Sequence, residues 1–411
     1  MEETQKSNAE APPPPWPELL GSNDWKGLLD PLDLTLRRLI IRCGDFCQAT
    51  YDSFNNDANS KYAGSSRYGK KSFFDKVMLE SAADYQVSCF LYATAQLSVA
   101  QAVFLRSVRP DSWDRESNWI GYIAVTTDAV TASLGRREIY VVWRGTSRTY
   151  EWINVLAAVP QSAAELLAVP EPGDDDDDNE RAPRVMKGWM TIYTSSDPNS
   201  PFTKLSARMQ LHKKIMHLRE LYKEDSLSIT VTGHSLGATL ATLAAFDLVE
   251  NGIRDIPVAA VVFGSPQVGN KAFRERVARY PNLKILHVRN KIDLITRYPS
   301  VLLGYRDVGV ELEIDNRKSP SLKRSTNTGD WHNLQGMLHV VAGWNGAEAE
   351  FELKVKRSVA LVNKSCEYLK DELLVPGMWW VEKNKGLVRD DDGEWIPTPP
   401  AGEDQPVPEF P

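Results

Sequence analysis

Cysteine is scarce in this 411-residue chain: Cys43, Cys47, Cys89 and Cys366 are the only four. None stands in a C-x-x-C pair, so the sequence lacks the usual zinc-ribbon and thioredoxin-like redox signatures. Cys43 and Cys47 lie one helical turn apart and read as a reduced pair on one helix. A dominant charge is missing too. The 48 Lys+Arg against 55 Asp+Glu leave −7, much of it from the acidic run at 174–178, so no nucleic-acid partner is expected. Consecutive aspartates cannot all face one ion, and that run reads as a solvated loop rather than a calcium site. No metal or other cofactor is expected. No apolar run approaches the roughly 20 residues of a membrane span. The opening MEETQKSNAEAPPPPWPELL has neither the apolar centre of a secretory signal nor the acid-poor, Arg/Ser-rich character of a transit peptide. A cytoplasmic location, in a reducing setting, is the expectation.

One motif appears in full context. In SLSITVTGHSLGATLATLAAFDLV (226–249), Leu227, Ile229 and Val231 alternate as in a strand and run into Gly233-His234-Ser235-Leu236-Gly237. A small-residue helix follows at once. This is the strand–turn–helix setting a G-x-S-x-G nucleophile elbow requires. Gly233 and Gly237 fit because strand and helix backbones pass too closely for Cβ atoms. The helix N-terminus aims backbone N–H groups at the place where an oxyanion would develop.

A serine nucleophile needs a base, and the base an orienting acid. Six histidines are available. His212 and His217 sit on an amphipathic stretch before the elbow strand and read as surface residues. His234 lies inside the elbow, where its ring cannot easily turn back, and His287 lies within a buried strand. His332 and His339 remain, both after the last core strand, where the hydrolase order Ser–Asp/Glu–His places the base. His332 enters a helix from a Gly-Asp-Trp loop and is preferred; a core role is the default for His339. For the acid, Asp293 follows the strand segment LKILHVRN at the carboxyl edge of the sheet, where open α/β sheets build their sites. Asp255 lies at the wrong end. Asp307 and Asp315 stay open by position.

Strand candidates at 119–127, 138–143, 258–263 and 283–288 alternate with helical spacing at 30–54, 204–221 and 236–252. That pattern predicts an α/β fold of the α/β-hydrolase type, a mostly parallel central sheet with helices on both faces. More helix around a loop is expected at 73–91 and a final helix at 347–370. The predicted division is a disordered Pro-rich start (1–15), one hydrolase domain (16–375), a hairpin packed on the core (376–400) and a disordered tail (401–411). Within the domain, 155–184 is a possible lid; residues 163–169, between Pro160 and Pro170, form its short amphipathic helix. Trp379, Trp380 and Trp395 read as packing of the tail, with an interfacial anchor as the alternative.

GHSLGA, NKIDLITRYP and WHNL resemble the Ser, Asp and His segments of the class 3 (fungal-type) lipases. Arg144-Gly145-Thr146-Ser147 followed by Glu151-Trp152 resembles that family's oxyanion segment, while Met186 departs from the histidine of its V-H-x-G-[FW] pattern. The flanks, among them ELLGSNDWKGLLDPLDLTLRRLI, SKYAGSSRYGK and DGEWIPTPP, are similar to the class-II plant phospholipase A1 group over nearly all of 16–400. This resemblance selects Asp293 and His332 as partners of Ser235, and makes Thr146 and the N–H of Leu236 the oxyanion donors. It implies a metal-independent serine ester hydrolase that removes the sn-1 acyl chain of glycerophospholipids at a membrane or micelle surface. Galactolipid or neutral glyceride hydrolysis on the same site is an alternative. A non-catalytic lipase-like scaffold is another, although such proteins carry a large helical domain after the core.

Overall fold

The computed structural model describes residues 12–94, 104–146, 158–170, 174, 181–380, 387–397 and 401–410. Seven strands form the central sheet: β1 (Tyr85–Thr94), β2 (Ser117–Thr126), β3 (Arg137–Trp143), β4 (Leu227–His234), β5 (Val258–Phe263), β6 (Leu283–Asn290) and β7 (Val310–Ile314). They lie side by side in chain order. The first three make an antiparallel meander, and each later neighbour pairs parallel. Parallel neighbours need long crossovers, which the helices supply. Those of eight or more residues are α1 (Leu34–Ser53), α2 (Lys187–Thr194), α3 (Ala207–Leu221), α4 (Leu236–Glu250), α5 (Lys271–Ala278) and α6 (Leu334–Gly343).

Period-two alternation divides each strand between two cores. Val258, Ala260 and Val262 of β5 face the layer of α2 to α5. Ala259, Val261 and Phe263 face α1 and α6. The α/β architecture expected from the sequence is therefore present. All fifteen residues of α4 are buried, as expected of a helix apolar on every side. Its alanines admit the sheet on one flank and neighbouring helices on the others. Helix α1 starts where the Asp33 carboxylate accepts the N–H groups of Thr35 and Leu36. It buries Leu36, Ile40, Cys43 and Cys47 completely. The four cysteines are free.

Several expectations need correction. Residues 73–91 hold one α-helical turn, Phe73–Lys76, a 3-10 turn, Ala82–Asp84, and then the edge strand β1. No helix occupies 347–370; the segment is irregular, with a 3-10 turn at Val359–Lys364. There Arg357 binds Asp45 and Gln335, and Oδ1 of Asn363 accepts the N–H groups of Tyr368 and Leu369. These tertiary bonds outweigh helix propensity. The tail hairpin forms between Leu387–Arg389 and Trp395–Pro397, yet all six residues are exposed rather than packed on the core. Six strand residues bury too little to dock. Trp395 is exposed with them, while Trp379 and Trp380 pack, their indoles donating to Ala360 O and Asp52 O.

The tail at 401–410 is built in, not disordered. Asp404 accepts from Gly69 N and Lys76 Nζ, and Glu409 pairs with Lys70 and accepts the N–H of Phe90 in β1. Gln210 of α3 also meets that strand, its carboxamide bonding both the N–H and the carbonyl of Tyr92.

Of the possible lid at 155–184, residues 155–157, 171–173 and 175–180 lie outside the described residues, and the expected helix at 163–169 is packed away from the site. Ala163 and Leu166 are fully buried, and the segment forms a single 3-10 turn, Ala164–Leu166. The N–H of Ala168 donates to Glu250, and Leu166 O accepts from Asn251. Both partners lie at the far end of α4, about 22 Å of helix from Ser235. Of the acidic run, only Asp174 is among the described residues, and Ser147 and Glu151-Trp152 also lie outside them.

Candidate active site

Ser235 sits between β4 and α4 with φ 60° and ψ −127°, a region that L-residues occupy only when the surroundings force it. A Cβ built on Gly233 would fall 2.1 Å from Gly237 O, and one on Gly237 would fall 2.3 Å from Trp143 O. The elbow therefore closes only with glycine at both positions. The N–H of Ser235 donates to Phe263 O at the end of β5, which ties the turn to the next strand.

Asp293 lies three residues past β6 and is 1% exposed. Its Oδ1 accepts the N–H of Ile295 at 3.0 Å, and its Oδ2 lies 2.6 Å from Nδ1 of His332. The competing carboxylates are engaged elsewhere. Asp255 pairs with Arg219, Asp307 accepts from Gln267, and Asp315 pairs with Arg317.

The His332 loop is held from two sides. Asn290 donates to Trp331 O at 2.7 Å, and His234 Nε2 donates to His332 O at 2.8 Å. A carbonyl can only accept, so His234 carries its proton on Nε2. Its Nδ1 then accepts from the hydroxyl of Tyr51 at 2.7 Å. Burial, reinforced by the His332 ring, holds the His234 pKa well below the ordinary histidine value, which keeps this relay neutral. Gly264, at φ +54°, gives the His332 ring its room; a Cβ there would lie 2.9 Å from Cε1. Tyr51, Asn290 and Gly264 were not singled out from sequence. Their partners lie far along the chain, and no local pattern announces them.

Thr146 is half-buried and follows Gly145, whose Cα stands against the elbow: a Cβ there would meet His234 O at 2.6 Å. Arg144 fixes this strand end. Its buried guanidinium donates to Trp119 O and Gly145 O and stacks 3.8 Å over Phe54. Burial lowers its pKa to about 10, so it stays a cation at neutral pH. Leu236 opens α4, where the first N–H groups have no partner within the helix.

The other histidines are placed away from this chemistry. His217 is exposed, as expected, but His212 binds the buried Asp247 at 2.6 Å rather than standing free on the surface. His287 accepts the N–H of Ser265, and His339 shares a hydrogen bond with the Ser319 hydroxyl. Burial lowers both pKa values to about 4, with Arg357 adding to the effect at His339. In the unfolded chain both would titrate near 6.5. Their contribution to stability is thus complete above about pH 6.5 and is lost as pH falls toward 4, by roughly 3 kcal/mol each. A thermal unfolding midpoint that drops steadily from pH 7 to pH 4.5, and less so in His339→Gln, is the expected result. A flat profile would contradict it.

Among the described residues, no group of three or more His, Cys, Asp or Glu side chains is arranged to hold a metal ion. No described helix is long and apolar enough to cross a membrane. Residues 140–303 match the family model for lipase (class 3). Phospholipase A1-IIdelta of Arabidopsis thaliana is 62% identical over 407 residues, 96% of this chain and 98% of that protein. Phospholipase A1-II 5 of Oryza sativa subsp. japonica is 53% identical over 408 residues, 98% of this chain and 86% of that protein. Among solved structures, a Yarrowia lipolytica lipase is 17% identical, covering 70% of this chain and 82% of its own, at TM-score 0.46. The chain belongs to the phospholipase A1-II family of class 3 lipases.

Proposed function

We propose that this protein is a phospholipase A1-type acylhydrolase, in which Ser235, His332 and Asp293 cleave the sn-1 acyl ester of glycerophospholipids. The observation that carries this reading is the 2.6 Å Asp293–His332 bond beside a strained serine elbow. His332 Nε2 takes the Ser235 hydroxyl proton as Oγ bonds to the acyl carbon. Asp293 fixes the tautomer of the ring and stabilises the imidazolium. The carbonyl oxygen becomes an oxyanion, which accepts from Thr146 and the N–H of Leu236. Collapse breaks the ester C–O bond, and the lysophospholipid oxygen leaves with the proton from His332. A water then gives its proton to His332 and attacks the acyl-enzyme. Its hydroxyl becomes part of the free fatty acid, and the proton returns to Ser235. The reaction takes place at a membrane or micelle surface in the reducing cytosol, where the four cysteines remain thiols.

A phosphatidylcholine with different acyl chains at its two positions tests the reading, with chelator present. The expected product is the sn-1 acid alone. Release of the sn-2 acid would refute the positional assignment. No release, with turnover of a galactolipid or neutral glyceride instead, would move the substrate class while keeping the site.

A further inference from the structure

The loop that holds Asp293 also carries the most exposed large apolar side chain among the described residues. Leu302 is 92% exposed, and Leu294, Val301 and Leu303 are each more than half exposed. Large apolar side chains clustered in solvent at one place mark an interaction surface. The tip is not a frayed end. Leu302 N donates to the Ser300 hydroxyl, Arg306 donates to Val301 O, and Gly304 N closes the turn on Val301 O. Below the tip, Gln267 N holds Tyr298 O, and Tyr305 is buried with its hydroxyl on Ala158 O. Ile295 and Thr296, also buried, bind the Asp293 carboxylate and carbonyl. One rigid loop thus supports the site at its base and displays leucine at its crest.

Charge identifies the occupant. From Leu294 through Arg306 the sequence LITRYPSVLLGYR contains two arginines and no carboxylate, within a chain of net charge −7. Arg297 is exposed, and Arg306 is half-buried at the foot of the turn. An apolar crest flanked by guanidinium groups suits a phospholipid surface, with leucine among acyl chains and arginine at the phosphates. We propose that the Val301–Leu303 turn is the membrane seat of this protein, setting the Asp293 edge of the site against the bilayer; this rests on the phospholipid reading above. The seat is exposed at its crest, whereas Ala163 and Leu166 of the segment at 163–169 are buried in the core.

Vesicles of phosphatidylcholine with added phosphatidylglycerol test it, using Leu302→Ser and, at the opposite end of the sheet, the exposed Leu221→Ser. Binding is measured in the Ser235→Ala background so that the vesicles stay intact. Leu302→Ser should weaken binding on the order of ten- to a hundredfold, the value of one buried leucine, while Leu221→Ser binds normally. With Ser235 restored, vesicle hydrolysis should fall in parallel, and turnover of a dispersed short-chain ester should stay unchanged. Normal vesicle binding by Leu302→Ser overturns the proposal, as does an equal loss in Leu221→Ser. A change only in oligomeric mass by light scattering would assign the crest to a second copy of the chain and overturn it too. If wild type releases no fatty acid but Leu302→Ser still loses binding, the seat stands and the phospholipase reading fails.

Discussion

Ser235→Ala lowers kcat on phosphatidylcholine by roughly a millionfold, with the fold intact. Ser235 is 3% exposed and stands at the bend where β4 becomes α4. In the proposed mechanism no other side chain supplies an oxygen at that point, so covalent catalysis ends with it. What remains is the rate over water from the oxyanion donors and substrate binding, roughly a thousandfold or more. The backbone strain at φ 60° persists, because alanine relaxes it no better than serine. The variant should therefore unfold at nearly the wild-type temperature. Turnover within a hundredfold of wild type would remove Ser235 from the reaction.

Asp293→Asn is expected to lower kcat by roughly ten-thousandfold with little change in KM. The geometry gives the reason. The N–H of Ile295 needs an acceptor, so it holds the carbonyl oxygen of the new amide where Oδ1 now sits. The NH2 group then faces His332 Nδ1, which must act as acceptor. The imidazole proton moves to Nε2, so a proton rather than a lone pair faces the serine. Steady-state kinetics beside Asp307→Asn and Asp315→Asn separates the candidates. Normal turnover in Asp293→Asn, with loss in either of the others, would reassign the acid.

The elbow was legible because its signal is local: an alternating strand, two glycines about a serine and an alanine helix all lie within 24 consecutive residues, 226–249. Chain order left His332 and His339, and His332 was preferred because it enters a helix from a loop. Asp293 did not separate from Asp307 and Asp315 by spacing, because a carboxylate after a strand is also a common turn former; three-dimensional pairing separates them. Tyr51 was invisible for the opposite reason. It meets His234 across 183 residues of chain, and nothing near either residue points to the other. The edge strand at Val310–Ile314 went unread although Val310, Leu312 and Ile314 alternate with glutamates as a half-buried strand does. Helical spacing misled at 347–370, where Arg357 binds the distant Asp45 and Gln335 side chains and the Asn363 side chain binds looping backbone instead. The 163–169 segment has the spacing of an amphipathic turn, but its apolar side is spent on the core.

The side groups that meet β1 have a consequence for the protein in a crowded cell. A terminal strand in a sheet shows a row of open amides and carbonyls, which invites a strand from a neighbouring molecule and, repeated, a growing fibre. Here Gln210 acts as a one-residue imitation of the missing strand, offering both an acceptor and a donor to Tyr92. Two residues away, Glu409 blocks the amide of Phe90. Helix α3 and the tail thereby occupy with side chains two positions of this edge where a neighbouring strand would otherwise pair.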